Sequence, residues 1–112
     1  MTDIAALIER LEKAGGPSRD IDAEIHCRVV DTRYTLYGAL NDGCPFYTGS
    51  IDCALTLLPD GHYITLQEGT FGAAWSAFIG KHGSLKPVYQ TQGIRTPAIA
   101  LCIACLRARS AI

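Results

Sequence analysis

A chain of 112 residues with ten Lys and Arg against eleven Asp and Glu, formal charge -1, has room for one core and is expected to be a single domain over residues 1–112. Its charge supplies no cationic stripe to neutralise a phosphate backbone, which argues against nucleic acid as a partner. The longest apolar run, Ala98 to Leu106, falls far short of the about 20 residues that a membrane-spanning helix needs.

Asp3 can cap a first helix through Ala14, because Ile4, Leu7, Ile8 and Leu11 share one face while Glu9, Arg10, Glu12 and Lys13 lie elsewhere. These charges also deny the start the apolar run of an export signal, so a cytoplasmic location is expected. Gly15, Gly16 and Pro17 end that helix, and Ser18 caps a second running to about Val30. Asp31 to Phe46 fits no clean period and is read as loop. Ser50 caps a third helix with Ile51, Ala54, Leu55 and Leu58 on one stripe, ended by Pro59.

After the turn at Pro59, Asp60 and Gly61, residues His62 to Glu68 alternate, with Ile64 and Leu66 on one side and Tyr63, Thr65 and Gln67 on the other. Phe71 to Ile79 fits helix or strand; Gly69, Gly72 and Gly80 weigh against a helix. Read as a strand it is apolar on both faces, which predicts helices covering both sides of the sheet. A third strand is expected near Leu85 to Thr91, with Pro87 marking an edge. Thr96 followed by Pro97 is the strongest helix start, and the run to Leu106 reads as the core helix, with Arg107 and Arg109 near its negative end. The expected fold is α+β, in the order α-α-α-β-β-β-α, with a three-stranded antiparallel sheet in an α-β-α sandwich.

Among chemistry-bearing residues, Cys102 and Cys105 form C-x-x-C well inside a helix, away from the N–H groups that would activate a thiol. They are read as core filler, like Cys27 and Cys53. Cys44, beside Pro45 and Phe46, is the thiol expected to be most exposed. No second close pair joins Cys102 and Cys105 in zinc-ligand spacing, and nothing fixes His26, His62 or His82 beside a thiol. Asp20, Asp22 and Glu24 are assigned to the positive first turns of the second helix. The glycines at 69, 72 and 80 match no phosphate-binding loop. No catalytic, cofactor-binding or metal-binding residue is assigned.

Three segments, Leu11 to Ile25 (LEKAGGPSRDIDAEI), Tyr47 to Gly61 (YTGSIDCALTLLPDG) and Thr96 to Arg109 (TPAIALCIACLRAR), resemble the phage ABA sandwich domain family, small proteins of phages and prophages. The chain departs from that pattern at Cys53 and Cys105, where alanine is expected. The resemblance implies helices on both faces of a sheet and an origin in a bacterial host cell, and it carries over no catalytic residue. A mean hydropathy of +0.15 points to apolar surface covered by another subunit. The leading expectation is thus a non-enzymatic interaction or structural protein, homo-oligomeric, with a phage or host protein as partner. The rivals are a thiol- or histidine-dependent enzyme or ligand binder, and a DNA-binding regulator using Arg28, Arg33 or the C-terminal arginines, which the acidic balance disfavours.

Overall fold

A computed structural model describes residues 4–30, 38, 43–69, 74–83, 87–94 and 96–110, with the main chain alone at 87–93. Helix α1 (Ile4–Lys13) buries Leu7, Ile8 and Leu11 along the expected stripe; the cap assigned to Asp3 lies outside the described residues. Helix α2 (Arg19–Ile25) starts where the Ser18 hydroxyl accepts the Ile21 N–H at 3.3 Å and continues as a wider π-helical turn over His26–Val30. The loop expected over Asp31 to Phe46 lies largely outside the described residues. Helix α3 (Ile51–Leu55) is shorter than its apolar stripe. Ser50 caps its start, and the Thr56 hydroxyl donates to the Cys53 carbonyl at 2.6 Å at its end.

Strands β1 (His62–Glu68), β2 (Trp75–Lys81) and β3 (Pro87–Ile94) lie in that order, antiparallel. The turns that precede β1 and follow β2 use Gly61 and Gly83 at positive φ, 77° and 89°, a backbone region that costs glycine little. The part of the expected second strand at Phe71 to Ala73 lies outside the described residues. Thr96 accepts the Ile99 N–H at 3.2 Å and opens helix α4 (Pro97–Ser110). Ten residues of α4, on every side, are buried. Fully burying a Leu or Ile contributes about 1.5–3 kcal/mol, so Ile99, Leu101, Ile103 and Leu106, each at most 1% exposed, make α4 the chief source of core stability.

The expected fold needs correction on two points. First, among the described residues helices cover one face of the sheet, where an α-β-α sandwich expects them on both. Helix α4 packs on β2 and β3, while α1 and α3 pack on α4. The sheet turns Ala77 and Ile79 inward, with Ile64, Leu66 and Trp75 partly buried beside them. Its other face carries exposed Thr65 and Gln67 and half-buried Tyr63, Ser76 and Phe78. On that face Phe78 stays half open and the Tyr63 ring lies across Gly80, its partner in the ladder. Second, the continuous ladder is two-stranded. Seven consecutive pairs join β1 to β2, whereas β3 is attached through a register broken between Trp75 and Ala77 and again between Ile79 and Gly80.

Candidate functional site

The densest polar cluster ties α2 to the segment Cys44–Ser50. Asp22, 1% exposed, accepts on Oδ1 from the Thr48 main-chain N–H and from the Thr48 hydroxyl, each at 2.7 Å. Its other oxygen accepts from Arg19 Nη1 at 2.9 Å. The Thr48 hydroxyl accepts from the Ser18 N–H at 2.8 Å. Arg19 Nη2 donates to the Cys44 carbonyl at 2.7 Å and meets the Cys44 thiol at 3.4 Å, and its guanidinium lies 4.1 Å from the centre of the Phe46 ring. A buried carboxylate with three charge-assisted bonds is well compensated, and the cluster holds the loop against the helix.

Tyr47 enters the core beside this cluster. Its hydroxyl lies 3.0 Å from His26 Nδ1, and its carbonyl accepts from the Cys102 thiol at 3.1 Å. Loss of solvent pushes the phenol up to about 12, helped by the nearby Cys44 and Cys53 thiols and opposed by Arg109. Burial also raises Cys102, to which Cys105 adds, and takes Cys105 up to about 12 against the pull of Arg109. Thiols held in this way stay protonated at neutral pH and are poor nucleophiles.

The remaining residues singled out from the sequence divide plainly. Cys44 is 4% exposed, not the open thiol expected: Arg19 folds over its carbonyl and sulfur, and Cys27 and Ala23 pack with it. Its thiol is raised by burial, with Arg19 acting against that shift. Cys53 is the half-buried thiol. His26 is brought to Tyr47 rather than to a thiol. The His62 ring meets the Asp60 carbonyl at 2.9 Å, and His82 is exposed with its ring centre 5.8 Å from that of Tyr63. Glu24 pairs with Arg10, and Arg107 lies 3.7 Å from Glu12. Arg109 donates to the Leu57 carbonyl at 2.7 Å; Arg33 lies outside the described residues. Among those residues no three His, Cys, Asp or Glu side chains gather as a metal site requires, and no helix is long and apolar enough to cross a membrane.

Asp22 and Thr48 were the residues the sequence hid. An acidic residue in a first turn reads as a dipole partner, and its true partner stands 26 residues away. Three large apolar side chains lie exposed close together along the chain: Phe46 at 58%, Ile51 at 40% and Leu55 at 38%. The last two stand one turn apart on α3. Beside them a shallow hollow of about 400 Å³ is lined by Thr48, Gly49, Ser50, Ile51, Asp52 and Thr96, and both of its capping hydroxyls are engaged by helix N–H groups. No protein-family model, curated protein or solved structure matches the chain.

Proposed function

We propose that this is a non-enzymatic interaction protein of phage or prophage origin that works as a homo-oligomer in the bacterial cytoplasm. The observation that carries the interaction reading is the exposure of Phe46, Ile51 and Leu55, large apolar groups left in solvent while every Leu and Ile of α4 is buried. The polar cluster beside Phe46 supports it. Asp22, Thr48 and Arg19 hold Cys44–Ser50 rigidly, so Phe46 is presented with little ordering left to do on binding. The origin rests on the resemblance of the capping and core segments.

Light scattering on the purified chain tests the reading. A mass above one chain is expected, growing with concentration. A strict monomer at every concentration would overturn it.

A further inference from the structure

We infer that a second copy of this chain docks on the outer edge of β1, in antiparallel register about a two-fold axis at Thr65, to give one continuous sheet through the dimer. This rests on the homo-oligomeric reading above and names its surface. In an antiparallel ladder, residues bonded to a given neighbour alternate with residues whose N–H and C=O point away from it. The Gly69 N–H donates to the Ala74 carbonyl at 2.6 Å, and the His82 N–H to the Gly61 carbonyl at 2.8 Å, so the odd-numbered residues of β1 bond to β2. The main-chain groups of His62, Ile64, Leu66 and Glu68 therefore point outward, and among the described residues none of them has a partner.

Only a register that sets outward-pointing residues against one another can satisfy those groups. Pairing His62 with Glu68 and Ile64 with Leu66 of the second copy uses all four residues on each side. It sets an imidazole against a carboxylate at both ends and leaves no like charges opposed. Ile64 and Leu66, only partly buried in one chain, then cover each other on the face that continues the core. On the open face Tyr63 meets Gln67, and the exposed Thr65 meets its own copy on the axis.

The two edges of the sheet differ in a way that singles out β1. Strand β3 begins with Pro87, which lacks an N–H, and its register is broken twice; both features discourage edge pairing. Strand β1 has no proline, no lysine and no bulge over seven residues.

The test uses the full chain with Cys53→Ser to remove the half-buried thiol. Thr65→Cys places two thiols on the axis, in a closely spaced non-bonded pair compatible with a disulfide. Gln67→Cys, the control, sets its two thiols about 13 Å apart along the strands. With diamide as the electron acceptor, a covalent dimer is expected for Thr65→Cys and little for Gln67→Cys; equal rates would overturn the inference. Thr65→Lys, checked for folding by circular dichroism, opposes two ammonium groups on the axis and should abolish the dimer in light scattering. A dimer that survives Thr65→Lys but is lost in Phe46→Ser with Leu55→Ser would overturn the edge and keep the oligomer. A chain that is monomeric before any substitution would overturn both.

Discussion

The cluster around Asp22 and the outer edge of β1 are both rows of polar groups, and the fold treats them in opposite ways. At Asp22 the hydrogen bonds are made within the chain: carboxylate, hydroxyl, guanidinium and main-chain amide answer one another over 26 residues of sequence separation. At β1 the main-chain groups of four residues face outward. A satisfied cluster of this kind strengthens one fold and has little left to offer a partner. An open edge adds nothing to the isolated chain and can be completed only from outside.

The sharpest way to break the comparison is Asp22→Ala. It leaves the buried Thr48 amide without its acceptor and takes one partner from Arg19, which keeps the Cys44 carbonyl, and a loss of about 3 kcal/mol in denaturant unfolding is expected. Thr48→Val keeps the shape but removes the hydroxyl that accepts from Ser18 and donates to Asp22, for a loss of about 1–3 kcal/mol by the same measurement. Next comes the dry core behind the cluster, read through alkaline unfolding. Cys105 is raised from its ordinary 9.0 to about 12 in the folded chain, so between those values the unfolded chain has given up a proton that the native one keeps. Its contribution is intact below pH 9 and falls by about 1.4 kcal/mol per pH unit above it. Cys105→Ala should flatten the alkaline slope by about that much. Smallest is Thr65→Lys, expected to change the unfolding of the single chain by less than about 0.5 kcal/mol while its association is lost. If it unfolds the chain instead, the edge is part of the fold and the contrast fails.

Much of this fold could be read from particular residues. Ser18, Ser50 and the Thr96–Pro97 pair announced three helix starts because caps are local chemistry. The alternation over His62 to Glu68 announced β1 with its inward face correctly chosen. The three-stranded sheet was over-read in β3, whose register against β2 is broken twice, and at Phe78 hydrophobicity does not mean burial, since one apolar side chain can remain half open over a glycine-spaced sheet. Cys44 was misjudged for the converse reason, because flanking turn residues report the path of the chain and not what folds over it. Asp22 was illegible since its partners are distant in sequence. The β1 edge could be seen only once the pairing parity was known, as sequence alternation says which face a side chain takes but not which neighbour its amide serves.

The position of α4 in chain order bears on how the protein is made. Helices α1 and α3 and strands β2 and β3 all pack on α4, so a nascent chain leaving the ribosome has no shared interior to close around before Pro97–Ser110 has been synthesised. Until then Leu7, Leu11, Ala77 and Ile79 have lost their main cover, and the intermediate is one that chaperones would hold. A chain ending upstream of residue 97 is therefore expected to lack a stable fold, which circular dichroism would show.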